Sequence, residues 1–352
     1  MTTIADVARM RLLSQRLVHP MGSATEVVRH FGCLQGQDFP GSTVSVALRT
    51  TERTRQGVFD SYDAGQIVRS WPMRGTLFVL PAQDLGWMLS LTADGLLRAT
   101  SRRREALGLD TSTLDTAEQV ARNTLSGGGL NRTDLLQAWT EAGVQVRDGR
   151  GYHLIFHLAV RGIICQGPMD GTQQRFVLSH EWIDRPRTLE RPAAVAELFT
   201  RYVRSHGPVP AAQFLWWTKL AKRDLTPVLD QLPDDLQVID VDGVPHWVDA
   251  QVLQDYPAAK RSTAAPLLLP GFDEVVLGYG DRRAVLTAEQ EKKVVPGGNG
   301  VFRATVVAAG RAVGTWQRAK RRGDPVVVDP FDDELPAPVQ RAVGRLSAML
   351  PV

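Results

Sequence analysis

The sequence predicts an α+β protein, and three observations predict it. Apolar residues recur at helical spacing in successive short stretches, as in TEVVRHFGCL, where Val27, Val28, Phe31 and Leu34 fall on one face. Each group of such stretches runs into two short segments rich in Val, Ile, Leu and aromatic residues, the composition of paired strands. This layout comes three times before the chain changes to a longer β-rich region.

The first repeat covers residues 1–81. Helices are expected over 4–17, 24–34 and 42–49, then strands over IVRSWPM (67–73) and GTLFVLP (75–81), joined at Arg74-Gly75. The second covers 82–189 and opens with a helical connector, 82–107. TAEQVARNTLS (116–126) reads as helix. In NRTDLLQAWTEAG (131–143), Asn131 supplies a cap and Gly143 a stop. YHLIFHLAVRG (152–162) is a helix ended by Gly162, and IICQGP (163–168) and QRFVLSHEW (174–182) read as strands around the turn MDGT. The third repeat covers 190–262. RPAAVAELFTRYVRSHG (191–207), PAAQFLWWTKL (210–220) and KRDLTPVLDQL (222–232) are helical, and LQVIDV and VPHWVD form a hairpin across Asp242-Gly243, a dipeptide suited to a two-residue turn.

Helices followed by a strand pair are the layout of a winged helix, a relative of the helix-turn-helix DNA-binding fold. Three tandem winged-helix units favour nucleic acid as partner, against the alternative of protein-interaction modules. The fourth part, 263–352, differs. PLLLPGFDEVVLGY (266–279), GVFRATVVAAG (300–310) and AVGTWQR (312–318) are β-rich around PGGNG (296–300), which predicts a small β-barrel followed by a helix over PAPVQRAVGRLSAML (336–350).

Composition narrows the class. A chain of 352 residues has room for two to four modules, and 43% hydrophobic with 22% charged residues is a globular balance. No apolar run reaches the ~18 to 20 residues of a membrane span. MTTIADVARMRLL is not a secretory signal. Cys33 and Cys165 are too few for a disulfide framework or a structural zinc site. A cytoplasmic monomer without cofactor or metal is expected. The net charge is only +3, but positive charge gathers in RATSRRR (98–104), RAKRR (318–322) and Arg282-Arg283, and acid in DPFDDE (329–334). Basic patches on a near-neutral chain suit an anionic partner; solvated helix faces are the alternative.

CLQGQDFPG (33–41) is the motif with chemistry in it. Residues i and i+2 of a helix point roughly 200° apart, so Gln35 and Gln37 share a side only if the backbone leaves the helix. Gly36 permits that departure, and Pro40-Gly41 breaks the chain soon after. A glutamine amide is neutral, with one acceptor and two donors. Two of them could hold a water or read a base edge, or simply cap the helix. Elsewhere, Trp216-Trp217 with Phe214 reads as core, and His153 with His157 as helix packing rather than a metal site. Asp273-Glu274 either orients an arginine or lines the site.

LQGQD, RSWPMRGTLFVLP, LLPGFDEVVLGYGDRRAVL and VVPGGNGVFRATVVAAGRAVGTWQR, in this order, resemble the AlkZ/YcaQ family of bacterial DNA glycosylases over nearly the whole chain. The resemblance implies three tandem winged helices plus a β-barrel. It implies that Gln35 and Gln37 occupy the catalytic signature, in the glutamine-glutamine form of the AlkZ branch, whose members protect antibiotic producers from their own DNA-alkylating products. Asp38 sits one position too late to be the aspartate of the other branch. The family's RGTL segment is usually followed by a histidine; Phe78 stands there in this chain.

The chemistry suits amides. Alkylation at N7 puts a positive charge on guanine, so the base leaves as a neutral species and needs no general acid. What remains is to place a water below C1′ and to stabilise an oxocarbenium-like sugar, which neutral amide oxygens can do. Gln35 and Gln37 are the catalytic candidates, with Gly36, Asp38 and Asp273 supporting them. Arg74 at the first wing, Asn299 and Arg303 on a hairpin near 297–305, and Arg318 are candidate DNA contacts. The expected partner is double-stranded DNA carrying alkylated guanine. A non-enzymatic winged-helix regulator is the alternative, although regulators usually pair half-sites by two-fold symmetry.

Overall fold

The structure, a computed structural model, describes residues 2–298, 300–321 and 324–351. The chain divides into two compact units. One is formed by Phe59–Val195, the other by Met1–Val58 together with Ala196–Val352.

In the Phe59–Val195 unit, two hairpins of the same design form the sheet. Ile67–Met73 pairs with Thr76–Pro81 and Ile164–Asp170 with Gln173–Leu178, each antiparallel and each with a register break in mid-hairpin. Arg69 meets Gln166 across the inner strands, joining the hairpins edge to edge. The first turn holds Arg74 at φ 58° and Gly75 at φ 69°, the left-handed pair that a two-residue hairpin requires. Helices Leu85–Ala99, Thr111–Leu125, Arg132–Glu141 and Arg150–Val160 cover the sheet around Trp71, Trp139, Leu154 and Phe156. Asn131 accepts from the Asp134 N–H as the expected cap, and Gly162 follows the last helix at φ 72°. Two expectations fail here. A helix at Arg55–Asp63 went unread, and SHEW at the end of the second hairpin is the short helix Ser179–Trp182, not strand.

The other unit gathers segments far apart in sequence. Helices Ile4–Ser14, Ala24–Phe31 and Phe39–Ala47 come from its N-terminal part. Arg191–His206 and Ala211–Thr218 follow from the later part, with the hairpin Leu236–Val241/Val244–Asp249 turning at Asp242 (φ 53°) and Gly243 (φ 80°) as expected. Trp217 is buried there, as predicted for core. The β-rich end is a four-stranded antiparallel row of Leu267–Leu269, Thr305–Ala308, Arg311–Gln317 and Val327–Pro330. The row is open; among the described residues no closed sheet replaces it, so the expected barrel is corrected to an open sheet. FDEVVLGY, read as strand, is instead the short helix Glu274–Leu277 with Asp273 as its cap. The last helix is Ala337–Ala348.

No helix among the described residues is long and apolar enough to cross a membrane. Cys33 and Cys165 are both buried free thiols.

Candidate active site

The glutamine motif sits on a link between two helices. Ser23 and Glu26 form a capping box that starts Ala24–Phe31, and Gly32 at φ 76° stops it. The helix therefore ends at Gly32, ahead of the exit expected at Gly36. Leu34–Gln35 is extended, and the next helix begins at Phe39 with Asp38 as N-cap and Pro40 in its first turn. Outside helical geometry, Gln35 and Gln37 are no longer forced to opposite sides.

The two amides have different surroundings. Gln35 is 6% exposed, whereas Gln37 is exposed. The Gln35 Oε1 accepts the N–H of Gly36 at 2.9 Å and of Gln37 at 3.0 Å, so both lone pairs of that oxygen serve its own loop. The expected arrangement, with both amide oxygens turned toward one water, is replaced by one amide that shapes the loop and a second that stands at the surface. The Gln35 N–H in turn donates to Glu274 Oε1 at 2.7 Å.

Beneath the loop lies a buried polar network, all of it within the unit formed by the chain's two ends. Asp273 pairs with Arg49 through two bonds of 2.9 Å and accepts from Ser45 Oγ at 2.6 Å. Burial alone would raise the Asp273 pKa, but the adjacent guanidinium and these bonds outweigh it and hold the carboxyl below its ordinary value. Arg49 also donates to Gln15 Oε1 at 2.7 Å, and Gln15 Nε2 donates to the Tyr279 hydroxyl at 3.1 Å. Burial pushes Tyr279 up to about 12, so it stays protonated and donates to the His206 carbonyl at 2.9 Å. The His206 ring lies 3.3 Å from Glu274 Oε2 through Nε2 and 2.8 Å from Ser205 Oγ through Nδ1. Burial holds this imidazole below its usual range and therefore neutral. The Ser205 hydroxyl also donates to the Arg201 carbonyl at 2.7 Å, so the direction of the Ser205–His206 contact follows the tautomer of the ring.

Beside the motif opens a cleft of about 510 Å³ lined by Asp38, Pro40, Gly41, Arg55, Trp316 and Arg318 among others. Arg55 donates from Nε to Thr43 Oγ1 at 2.9 Å. Partial burial and the charge of Arg318 lower its pKa, placing two cations on one cleft. Gly41 is required by close approach: a Cβ there would overlap Asp38 Oδ2 and lie 3.1 Å from the Gly271 carbonyl.

The remaining candidates scatter. Asp273 is buried and orients Arg49, one of the two roles foreseen for Asp273-Glu274. Arg74 is at its hairpin turn in the other unit, half-buried. Arg303 is exposed; among the described residues, 301–304 carry no strand and lead into the strand Thr305–Ala308. Asn299 lies outside the described residues. Phe78, in the place of the family histidine, is fully buried on its strand opposite Ser70. His153 and His157 belong to no group of potential metal ligands among the described residues. Sequence reasoning missed Arg49, Arg55 and His206, which carry no local signal, and did not foresee the bond from the Gln35 N–H to Glu274.

Residues 28–349 match the family described as DNA glycosylase AlkZ-like. The chain is 28% identical over 337 residues to an interstrand DNA cross-link repair glycosylase of Streptomyces sahachiroi, covering 93% of this chain and 89% of that one. It superposes on the solved structure of the Streptomyces sahachiroi DNA glycosylase AlkZ with a TM-score of 0.79 at 25% identity, covering 100% of this chain and 98% of the other. The family match and these relatives define a DNA glycosylase, a hydrolase of N-glycosyl bonds acting on DNA. The chain belongs to the AlkZ-like DNA glycosylase family.

Proposed function

We propose that the chain is a monofunctional glycosylase for N7-alkylated guanine, bulky adducts and interstrand crosslinks included, and that it serves self-resistance to a genotoxic natural product. The observation that carries this reading is the pair of neutral amides at Gln35 and Gln37, set beside a roomy cleft with arginine walls. A base already cationic through N7 alkylation leaves without protonation, so the site needs no strong acid. It needs a placed water and partial negative charge near the sugar.

In this reading the exposed Gln37 amide meets the water and the ribose, and Gln35 sets the loop that presents it. Asp38, on the cleft wall, offers a carboxylate to the developing sugar cation. Arg55 and Arg318 take backbone phosphates, with Arg74 and Arg303 as further contacts. The groups of helices that lead into the three hairpins act as winged helices. The Streptomyces relative is named for interstrand crosslink repair, and a cleft of about 510 Å³ is compatible with adducts too large to be rotated into a tight pocket. The protein works as a monomer, because one chain carries the whole array.

The test compares duplexes carrying 7-methylguanine, a bulky N7-guanine adduct or unmodified guanine, with abasic sites scored by alkaline cleavage. Excision of at least one N7 adduct is expected, without measurable release of guanine and without a borohydride-trapped protein–DNA adduct, since no lysine lies in or beside the motif. Excision of plain guanine at a comparable rate would contradict the leaving-group argument.

A further inference from the structure

We infer that Glu274 is a positioning residue of the active site, acting through the Gln35 N–H to fix the loop that presents Gln37, and that His206 holds Glu274 for this task. The inference deepens the glycosylase reading and rests on it.

Three consecutive N–H groups, of Gln35, Gly36 and Gln37, are satisfied by two side chains. Glu274 Oε1 takes the first, and Gln35 Oε1 takes the other two. The loop conformation is thus written in a short chain of acceptors whose buried end is Glu274. Its side chain is 1% exposed. A carboxylate in such a place is costly unless both oxygens are bonded. Here one goes to the loop, and the other goes to His206 at 3.3 Å.

Helix capping does not explain Glu274, because Asp273 already accepts the Val275 N–H and pairs with Arg49. The imidazole is fitted closely: a Cβ on Gly278 would come within 2.6 Å of the His206 ring, so the turn after Glu274 carries glycine where the ring needs room. The ring lies between two partners, with Nε2 toward Glu274 and Nδ1 toward Ser205. The 2.7 Å bond from the Gln35 N–H to Glu274 Oε1 is short for an N–H···O bond, which suits an anchor.

Gln35 accordingly works at second hand. Its buried amide closes the turn, and an error of an ångström there displaces Gln37 at the reacting centre.

The test uses the full chain and the variants Glu274→Gln, Glu274→Asp and Glu274→Ala. Single-turnover excision of an N7-alkylguanine, DNA affinity and amide hydrogen exchange across residues 33–39 are read for each. Glu274→Gln keeps one oxygen for the Gln35 N–H and turns its NH2 toward His206, whose neutral ring accepts it in the Nδ1–H tautomer, and it is expected within about threefold of the wild-type rate. Glu274→Asp, one methylene short, and Glu274→Ala are expected to lose roughly 30- to 100-fold in rate. Their DNA affinity should stay within about twofold, since no phosphate contact is touched, and the Gln35–Gln37 amides should exchange about tenfold faster.

Unchanged rate and exchange in Glu274→Asp or Glu274→Ala would overturn the inference. So would a fall in Glu274→Gln matching that of Glu274→Ala, which would assign the effect to charge. Where the alanine variant fails to fold, the Asp and Gln variants decide. If the wild type excises no N7 adduct, the glycosylase reading fails instead, and the exchange data still judge the anchor by themselves.

Discussion

Replacing Asp273 by Asn removes one charge from a pair that is almost wholly dry: the side chains of Arg49 and Asp273 are 0% and 1% exposed. The guanidinium would keep its bonds to Gln15 and Ser45 but lose the carboxylate that neutralises it through two contacts of 2.9 Å. Breaking a buried pair by removing one partner costs about 3–5 kcal/mol, most of it the penalty of the charge left behind. At about 2 °C per kcal/mol for a unit near 200 residues, the unit holding Arg49 should melt about 6–10 °C lower. Helix capping does not confuse the result, because Asn is as good a cap as Asp. The double variant Arg49→Leu with Asp273→Leu removes both charges and should recover at least half of the loss, roughly 2 kcal/mol. Calorimetry and urea denaturation measure both. A single variant melting within about 1 °C of wild type, or a double variant worse than the single, would refute the reasoning.

Further outcomes follow from the same geometry. Gly41→Ala places a Cβ against Asp38 and the Gly271 carbonyl, so excision should fall roughly tenfold or more while the melting temperature moves little; an unchanged rate would show that the cleft wall is free to shift. His206 and His30 have folded pKa values held below 6.5, His30 at about 3. As pH falls below 6.5 the unfolded chain takes up protons that the folded chain does not, so His30 costs about 1 kcal/mol of stability between pH 6.5 and 5.5, and His206 acts in the same direction. Urea midpoints at pH 6.5 and 5.5 read this, and His206→Gln should shallow the slope; a flat profile would contradict it. Arg55→Ala and Arg318→Ala should each lower the slope of log affinity against log salt by about 1, from a wild-type slope of about −4 to −5. A salt-independent affinity would argue against phosphate contacts.

The sequence was most legible where structure is local. Asn131 as cap, Asp242-Gly243 as turn and the first hairpin at 67–81 each depend on neighbours within a few residues, and each is found where expected. The break between two helices at the glutamine motif was legible as well, from Gly36 and Pro40-Gly41; the catalytic role of the two amides came only with the family resemblance. What could not be read depends on distant partners. FDEVVLGY has the apolar density of a strand, yet Asp273 and Glu274 are committed to Ser45, Arg49, Gln35 and His206, and this turns the segment into a capped helix. The Gln35–Glu274 bond spans 239 residues, and no local pattern announces such a contact. Closure of a sheet is likewise a long-range property: strands within 267–317 were recognisable, but Val327–Pro330 and the open order were not. The loop exit was misplaced from Gly32 to Gly36 because both glycines permit it and only the packing of Phe31 and Cys33, both fully buried, selects one.

The central claim is that the Gln35–Gln37 loop performs hydrolysis of a cationic N-glycosyl bond. The most direct measurement is single-turnover excision from duplexes carrying 7-methylguanine or a bulky N7-guanine adduct by wild type, Gln35→Ala and Gln37→Ala, with DNA affinity measured alongside. The account predicts excision of at least one of these adducts by wild type. It predicts a loss of roughly 100-fold or more in Gln37→Ala and a comparable loss in Gln35→Ala through the collapsed turn, with affinity for DNA preserved. Full activity in Gln37→Ala would contradict it, because the exposed amide would then have no part in the chemistry.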